Sequence, residues 1–579
     1  MFLEGETASS DLGICNLLAK KFSSVFTTDL ISADQIANAV RNVPSLNASL
    51  NMIAIEEETI LKATAKMKNS LSSGPDGIPA TFLIRFMPHL LFPIKRIFQA
   101  SLDRAVYPSL WKDAYMFPVH KKGDKRDINN YRGISALCAI AKLFELVILD
   151  PIFSFCKEYF SNDQHGFMPK RSTSTNLMNF TSYVQESFTA GIQTDAIYTD
   201  LSAAFDKVNH ELAIAKLERL GICGCLLNWF RSYLIGRKLT VRTKDSYSRQ
   251  FPATSGVPQG SHLGPIVFLI YFNDALLLLD GPKLAYADDL KLFNVIKGPE
   301  DTAALQRQFD LFATWCNNNC LALNRNKCPV ITFSRKRHPI SADYFLSDHL
   351  IARVNHIKDL GVILDQKLDF KTHTNYIVDK ASRCLGFIFR VTKDFRDVYC
   401  LKSLYCSLVR SILEYASAVW SPFYQNGADR IEALQRRFMR YALRHLNWSD
   451  PFHLPSYENR CNLISLDTLQ ARRAVTRALF VSDILTTKID CPSLLESINI
   501  SVRPQGLRNR NLQLYTPLRQ NNYGANSALI GVIKTFNRYS EHFDFGTSRD
   551  SFRRKILIAF RSRIHTGRDA WIGRTSRIG

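Results

Sequence analysis

Apolar residues recur at the spacing of an α-helix in the first part of the chain, so residues 1–70 are predicted to be helical. Leu17, Leu18, Phe22 and Phe26 mark one apolar face. A second helical pattern at 53–67 begins with three consecutive glutamates at 56–58, the charge that favours a helix N-terminus. The run SSGPDG at 72–77 is a cluster of turn residues and ends this segment.

From about 75 to 335 short apolar runs of strand length alternate with helical stretches, which is typical of a mixed α/β domain. The pattern predicts strands at 196–201, 331–333 and 360–364, a helix at 208–220 and a hairpin at 283–294. After about 371 the strand pattern disappears, and basic amphipathic helices are predicted at 372–391, 401–415 and 430–443. The expected architecture is α/β followed by all-α.

Positive charge is concentrated in the last third of the chain. The whole sequence has 579 residues and a formal net charge of +22, yet residues 371–579 alone carry 33 Lys and Arg against 16 Asp and Glu. A basic surface of this kind favours nucleic acid as a partner, although it also serves to keep a protein soluble. The composition is that of a globular protein and excludes a disordered, collagen-like or disulfide-scaffold chain.

The 13 cysteines are an odd number, are scattered singly and lack paired zinc-ligand spacing. The N-terminus has no basic segment followed by an apolar core, and the most apolar stretch, 265–279, is too short to span a bilayer. We therefore expect an intracellular, soluble protein with no membrane partner.

The carboxylate pair Asp288-Asp289 lies at the predicted tip of a tight hairpin. Two adjacent carboxylates repel each other, and a divalent cation would relieve that repulsion. An Asp-Asp pair is also a common exposed turn dipeptide. A third carboxylate, Asp200, ends the predicted strand 196–201, and a strand end can meet a neighbouring hairpin tip. Three hard oxygen donors then favour a site for two Mg²⁺ ions and phosphoryl transfer.

Three successive motifs give the chain a family resemblance. The segments YTDLSAAFD (198–206), SGVPQGS (255–261) and AYADD (285–289) resemble, in order and spacing, the palm motifs of reverse transcriptases. Upstream, GPDGIP (74–79), 111–124, NYRGIS (130–135) and QHGF (164–167) resemble finger motifs of non-LTR (LINE-type) retrotransposon enzymes. Downstream, KDLGV (358–362) and LEYASAVW (413–420) resemble segments of jockey-like members. Gly133 stands where many members have proline, and Cys328 stands where threonine is common.

The resemblance implies an α/β right-hand polymerase with fingers, palm and thumb, followed by a basic, mostly α-helical C-terminal domain. Its expected parts are an N-terminal helical extension at 1–70, fingers at 71–195, palm at 196–370, a helical thumb at 371–450 and a basic C-terminal region at 451–579. In full-length elements an endonuclease domain precedes the position at which this sequence starts. We find no endonuclease, RNase H or zinc-knuckle motif in it.

The resemblance also implies the catalytic centre. Asp200, Asp288 and Asp289 are expected to hold two Mg²⁺ ions, or Mn²⁺, with the backbone carbonyl of Leu201 as a further ligand. Phe205 is expected under the sugar of the incoming nucleotide, where an apolar ring leaves no partner for a 2′-hydroxyl and so favours deoxynucleotides; a core role is its alternative.

Further residues are expected to bind nucleotide or nucleic acid. Gln259 is the one side chain of its turn able to hydrogen-bond a base or nucleotide, and Gly256 and Gly260 let backbone approach one. In the fingers, Arg132 fits a triphosphate site best. Lys121, Lys122 and Arg126 complete that basic cluster but equally suit template phosphate or a solvated face. Lys327 matches a possible general acid for pyrophosphate, and a phosphate-binding surface is expected at Arg436, Arg437 and Arg440.

The function expected from this resemblance is RNA-directed DNA polymerase, with RNA template, DNA primer and dNTPs as partners, in nuclear and cytoplasmic ribonucleoprotein. An RNA-dependent RNA polymerase shares paired aspartates on a palm hairpin, but Phe205 disfavours it. A catalytically idle relic, or a host-adopted RNA-binding protein that keeps the fold, is the alternative from another class.

Overall fold

The computed structural model describes residues 1–28, 31–395, 397–445, 455–501, 512–518 and 521–565. Strands are confined to its first two thirds. They are β1 (Phe2–Leu3), β2 (Glu6–Thr7), β3 (Asp113–His120), β4 (Tyr131–Leu137), β5 (Gln193–Tyr198), β6 (Arg237–Thr243), β7 (Ser246–Tyr247), β8 (Phe251–Ala253), β9 (Lys283–Tyr286), β10 (Asp289–Ile296), β11 (Val330–Phe333), β12 (Phe345–Leu346), β13 (His349–Leu350), β14 (His356–Asp359) and β15 (Val362–Asp365).

Helices surround the strands and make up the rest of the described chain. Those before the last strand are α1 (Asp11–Ser23), α2 (Ala33–Val40), α3 (Glu57–Lys66), α4 (Ala80–Asp103), α5 (Ala139–Cys156), α6 (Thr173–Thr189), α7 (His210–Leu220), α8 (Gly224–Leu234), α9 (Leu263–Leu278) and α10 (Pro299–Asn318). Those after it are α11 (Lys371–Val391), α12 (Val398–Tyr405), α13 (Ser411–Glu414), α14 (Ser417–Trp420), α15 (Gln425–His445), α16 (Tyr457–Leu463), α17 (Leu469–Leu485), α18 (Pro492–Glu496), α19 (Asn522–Ala525), α20 (Ala528–Tyr539) and α21 (Arg549–His565).

A four-stranded antiparallel sheet in the order β11-β5-β10-β9 forms the centre of the molecule. Side chains alternate between the two faces of a strand. In β5, Ile197 joins one hydrophobic core and its neighbour Ala196 joins another; in β10, Leu292 and Phe293 divide in the same way. Both faces of the sheet are therefore buried, including polar residues of β5 such as Asp195.

The two cores are built by different parts of the chain. The first includes α5, α7 and α9, and α9 is buried almost all round. The second lies against α6 and contains residues from the helices that follow residue 371, among them Leu479 of α17, Phe536 of α20 and Phe560 of α21. The basic C-terminal helices thus pack on the back of the central sheet instead of standing apart from it.

A second sheet has the order β4-β3-β6-β7, with β8 also paired to β6, and packs against α1. The β3–β4 hairpin places Gly133 opposite Pro118. A side chain at Gly133 would collide with Met116, because a Cβ built there would lie 2.4 Å from the Met116 sulfur. A residue with a Cβ at 133 would therefore require the flexible Met116 side chain to move.

Most predicted elements are confirmed, with four corrections. Residues 1–70 were predicted to be helical, but they begin with the short strands β1 and β2. The predicted strand 196–201 ends at Tyr198, so Asp200 lies beyond it. The predicted strand 360–364 begins two residues later, at Val362, because Leu360 and Gly361 have φ of +42° and +91° at the turn between β14 and β15. The predicted helix 401–415 is interrupted by a π-helical turn at Cys406–Arg410. None of the described helices is both long and apolar enough to cross a bilayer.

A buried ion pair joins α7 to α9. Lys216 donates to both carboxylate oxygens of Asp274, at 2.8 and 3.0 Å, and to the carbonyl of Tyr271 at 2.7 Å. Neither charged side chain is exposed. The indole of Trp315 donates to Asp274 as well, at 3.0 Å. Burial lowers the pKa of Lys216, and the adjacent carboxylate opposes that effect.

We predict that Lys216→Met lowers the free energy of unfolding by about 3–5 kcal/mol, because it leaves the Asp274 carboxylate buried without a counter-charge. Urea unfolding followed by circular dichroism measures the shift of the midpoint. Lys216→Met combined with Asp274→Leu should recover most of the loss, whereas Lys62→Met, at an exposed i,i+4 pair with Glu58, should change little. Equal midpoints for Lys216→Met and Lys62→Met would contradict this role.

Candidate active site

Asp200 lies two residues beyond the central strand β5, where the chain leaves the sheet. The N–H of Asn324 donates to the carbonyl of Asp200 at 2.8 Å, and the N–H of Ser202 donates to that of Ala322 at 2.9 Å. These bonds hold the peptide of Leu201 on both sides. Asp200 and Leu201 are therefore fixed to the chain that follows α10.

Asp288 and Asp289 lie at the turn between β9 and β10, as predicted. Asp289 pairs with Tyr286, and Ala287 adopts a left-handed φ of +59° at the tip. Because β10 pairs along β5, with Lys291 opposite Tyr198, the turn comes next to the end of the strand that carries Asp200. The structure thus brings the three predicted carboxylates to one edge of the sheet.

Gln164 holds the hairpin turn in place, a role that sequence reasoning missed. Its Oε1 accepts from the N–H groups of Ala287, at 2.9 Å, and Gly166, at 2.8 Å, and its Nε2 donates to the Ala287 carbonyl at 3.2 Å. A Cβ at Gly166 would lie 2.2 Å from the Ala287 nitrogen. In the sequence, the QHGF motif indicated only a family resemblance. The glutamine two residues before a glycine was the one feature of this motif that could have indicated the role of Gln164.

Burial and mutual repulsion act on the two carboxylates of the hairpin turn. Burial raises the pKa of Asp288, an effect that Asp200 reinforces and Arg132 opposes. Burial and the charges of Asp288, Asp359 and Asp200 raise the pKa of Asp289 to about 6. Among the described residues no three His, Cys, Asp or Glu side chains are arranged closely enough to hold a metal ion. The donors are of the right chemistry for Mg²⁺, and they approach one another without forming a closed site.

Lys327 makes an ion pair with Asp200, with 3.2 Å between its Nζ and Oδ2. Both residues line a cavity of about 270 Å³ that also includes Asp289, Tyr286 and Lys358. The Lys327 side chain is 65% exposed and so is free to move within the cavity. Its predicted role as a general acid stays a prediction.

A second buried ion pair lies in the wall of the same cavity. Lys291, two residues after Asp289 on the same strand, donates to Asp359 at 2.5 Å, and the hydroxyl of Tyr198 donates to the same carboxylate at 3.1 Å. The KDLGV motif in the sequence gave no indication of what Asp359 binds. The structure shows that this aspartate ties the β14–β15 hairpin to the strand that carries Asp289.

Phe205 is half-buried beside the site. Its ring stacks on Phe268 of α9 at 4.2 Å and meets Phe167 edge-on at 5.8 Å. Phe205 therefore packs partly against the core, and the rest of its side chain is accessible to solvent. The position under a nucleotide sugar stays a prediction.

The turn 255–261 packs against the segment that carries Phe205. Gln259 donates to Asp206 at 2.6 Å, so its amide already has a protein partner. Gly256 and Gly260 have φ of +83° and +118°, and a Cβ at either would lie within 2.6 Å of the carbonyl oxygens of Asp206 and Ser135. The close approach made by both glycines is thus to protein backbone, and their contact with nucleic acid stays a prediction.

A fully buried carboxylate fixes the end of this turn. Glu145 of α5 accepts from the N–H of His262, at 2.5 Å, at the start of α9, and from the hydroxyl of Tyr233 at 3.0 Å. Burial raises the pKa of Glu145, and the His262 hydrogen bond opposes this. Glu145 therefore caps α9 and sets where Gln259 lies, which no sequence motif indicated.

Two of the predicted basic residues reach the acidic site. Arg132 influences the pKa of Asp288, and Lys121 and Arg132 both lower the pKa of Asp206, which burial raises. Burial lowers the pKa of Lys121 itself. Lys122 and Arg126 are exposed on the loop after β3, where the N–H of Arg126 donates to Asp124.

The predicted arginines of α15 lie on its outer side. Arg437 and Arg440 are exposed and Arg436 is half-buried. The Arg437 guanidinium lies over the ring of Phe389, and that of Arg436 over Tyr457. By contrast, the charge of Arg472 is neutralised by an ion pair with Glu414.

Comparison with known proteins agrees with this geometry. Residues 119–374 match the family model described as reverse transcriptase (RNA-dependent DNA polymerase). The chain is 26% identical over 455 residues to a probable RNA-directed DNA polymerase from transposon BS of Drosophila melanogaster, covering 75% of this chain and 50% of that protein. It is 27% identical over 410 residues to the RNA-directed DNA polymerase from mobile element jockey of the same species, covering 68% and 44%.

A third relative is the retrovirus-related Pol polyprotein from type-1 retrotransposable element R1 of Bradysia coprophila, which is 23% identical over 432 residues, 70% of this chain and 40% of that protein. The chain spans about half the length of the curated relatives named first. All three predicted aspartates lie inside the matched segment. Residues 119–374 are therefore a reverse transcriptase domain, and the chain is similar over most of its length to the polymerases of non-LTR retrotransposons.

Proposed function

We propose that this chain is an RNA-directed DNA polymerase of a non-LTR retrotransposon, which extends a primer 3′-hydroxyl with dNTPs on an RNA template inside the cell. The observation that carries the proposal is the meeting of Asp200 with the Asp288–Asp289 turn at one edge of the central sheet, inside the segment that matches the family. Its partners would be template RNA, a DNA primer or target and dNTPs.

The right-hand division follows from this assignment. The four-stranded sheet would be the centre of the palm, expected at 196–370, and the β3–β4 hairpin would belong to the fingers, expected at 71–195. Strands β6 to β8 of the hairpin's sheet come from the segment expected to be palm, so that sheet would join the two parts. Helices α11 to α15 would form the thumb, within 371–450. Residues 451–579, in part outside the described residues, would be the basic C-terminal domain.

Asp200, Asp288 and Asp289 would hold two Mg²⁺ ions, with the Leu201 carbonyl as a further ligand, because carboxylate and carbonyl oxygens are the hard donors that Mg²⁺ prefers. A divalent cation would also offset the burial and repulsion that raise the pKa values of Asp288 and Asp289. Bound there, the ions would favour the alkoxide of the primer and stabilise charge on the departing pyrophosphate. The ion pair of Lys327 with Asp200 would open when a cation takes its place.

The chain's own residues would orient the reactants. Arg132 and Lys121 would bind the triphosphate, since both already lie within electrostatic reach of the acidic residues. The primer oxygen bonds to the α-phosphorus as the bond to the bridging oxygen of pyrophosphate breaks. Lys327, exposed in the same cavity, would donate a proton to that leaving group.

An exposed basic surface on α11 and α15 supports binding of duplex by the thumb. Arg383, Phe387 and Arg390 are exposed on α11, and Arg437 and Arg440 on α15. The two helices pack together, so these groups lie on neighbouring elements. Arginines interleaved with aromatic rings suit phosphates and sugars without reading sequence.

We predict that Asp288→Asn and Asp200→Asn each reduce primer extension on a primed RNA template by several orders of magnitude, because each removes a metal ligand. Single-turnover extension with Mg²⁺ and with Mn²⁺ measures the rate. Asp280→Asn, an exposed aspartate in the same domain, is the matched control and should extend normally. A folded wild-type protein that extends no primer with either metal would favour the idle relic.

The choice of sugar tests Phe205. We predict that Phe205→Val raises incorporation of ribonucleotides relative to deoxynucleotides, since the wall against the 2′-hydroxyl is lowered. The ratio of kcat/KM for dNTP and rNTP is the measurement. Phe167→Val, which alters the neighbouring ring, should leave that ratio unchanged. An unchanged ratio in Phe205→Val would assign Phe205 to the core through its stacking on Phe268.

Gln164 is predicted to be a positioning residue. Gln164→Met fills the same space without the three hydrogen bonds, and we expect kcat to fall about ten- to a hundredfold with little change in the KM for dNTP. Pre-steady-state bursts separate the two possible causes. A slower burst of full amplitude supports a displaced Asp288–Asp289 turn, whereas a normal rate with reduced amplitude would show a purely structural role.

A further inference from the structure

A second cavity lies where the central sheet, the helices after residue 371 and the C-terminal helices meet. It has a volume of about 120 Å³ and is lined by residues from α6, α17 and α19, from the turn between β15 and α11, and from the segment around α14. Three cationic side chains line it: Arg335, Lys367 and Arg477. None of them belongs to the catalytic site or to the exposed surface of α11 and α15.

Arg477 is a guanidinium without an acidic partner. Its Nε is buried and has no hydrogen-bond partner, and no ion pair joins it to any described carboxylate. Gly531 of α20 makes room for it, because a Cβ there would lie 1.8 Å from its Nη2. Burial and the charges of Arg473 and Arg538 lower the pKa of Arg477 to about 10, which an anion in the cavity would reverse. A buried guanidinium left in this state is a strong attractor for an anion.

The other lining charges leave the cavity positive. Arg335 donates to the carbonyl of Lys367 at 2.5 Å and lies over the Tyr523 ring at 4.5 Å, so it is held in place without losing its charge. The one lining carboxylate, Asp369, is paired with Lys371 at 3.3 Å. Positive charge therefore exceeds negative charge at the wall of the cavity.

Aromatic rings complete the site. Tyr424 is 55% exposed and Phe423 39% exposed, and both line the cavity beside the charges. A base stacks on an exposed ring while its phosphate pairs with arginine and lysine, and this combination is that of single-stranded nucleic acid. A bare anion would use the charges alone and would gain nothing from the rings.

We propose that this cavity is a phosphate-binding site for single-stranded nucleic acid, in which Arg477, Lys367 and Arg335 hold a phosphate and Tyr424 receives the adjoining base. The site is separate from the polymerase centre and does not depend on its activity. It would hold an unpaired stretch of RNA at the junction behind the central sheet.

The test uses the full chain in EDTA, so that binding of nucleotides to the carboxylate site through divalent metal is suppressed. Thermal unfolding is followed during titration with inorganic phosphate, adenosine 5′-monophosphate and adenosine. Short 4-thiouridine-substituted RNA is then cross-linked to the protein, and the attached residue is identified by mass spectrometry.

The variants are Arg477→Gln and a double variant, Arg335→Gln with Lys367→Gln. The Arg335 and Lys367 side chains are exposed, so their loss should spare the fold. The matched control is Lys336→Gln, an exposed neighbour outside the cavity.

We expect the monophosphate to stabilise wild type and Lys336→Gln alike, adenosine to do so far less, and the double variant to bind the monophosphate about tenfold more weakly. Cross-links at Tyr424 that disappear in the double variant would identify nucleic acid as the source of the phosphate. Stabilisation by phosphate with no cross-link near the cavity would overturn the assignment to nucleic acid. Equal losses in Lys336→Gln and in the double variant would reduce the effect to general charge and overturn the site.

Discussion

Mutual repulsion among Asp200, Asp288 and Asp289 is the constraint that the surrounding structure has to overcome. Carboxylates brought together in partly buried surroundings favour moving apart or taking up a proton. The molecule holds them through contacts that act on the backbone: the register of β10 on β5, the hydrogen bonds of Gln164 to Ala287, and the bond from Asn324 to the Asp200 carbonyl. Because these contacts do not involve the carboxylates themselves, the acidic oxygens stay available to a cation.

The buried ion pairs of the fold and the exposed ion pair at the candidate site have different roles. Lys291 and Asp359 form a buried pair with Tyr198, and Lys216 and Asp274 form another between α7 and α9. Both are closed to solvent and act as fixed parts of the fold. By contrast, Lys327 pairs with Asp200 through an exposed side chain. Such a pair contributes little stability in water, so an incoming ligand displaces Lys327 easily.

The sequence predicted the helix over 208–220, the hairpin around Asp288-Asp289 and the all-helical region after 371, because each has a local pattern. It predicted the meeting of Asp200 with that hairpin from the position of Asp200 at the end of an apolar segment, and the order of the motifs agreed. It did not predict Gln164 or Glu145, since a single polar residue in an apolar helix or turn gives no hint of a partner more than one hundred residues away. The strand predicted at 360–364 starts late, at Val362, because Leu360 and Gly361 form a turn that its apolar pattern did not reveal. The domain boundaries remain predictions, as a shared core crosses them.

That shared core has a consequence for biosynthesis. Phe180 of α6 and Phe333 of β11 share one hydrophobic cluster with Phe560 of α21. At ordinary rates of translation the ribosome adds α21 roughly 20 to 80 s after α6. During that interval the back of the central sheet exposes apolar side chains that later helices cover. The nascent chain is therefore open to chaperones, and to aggregation, until α21 has emerged, even though the three candidate aspartates have all been made by residue 289.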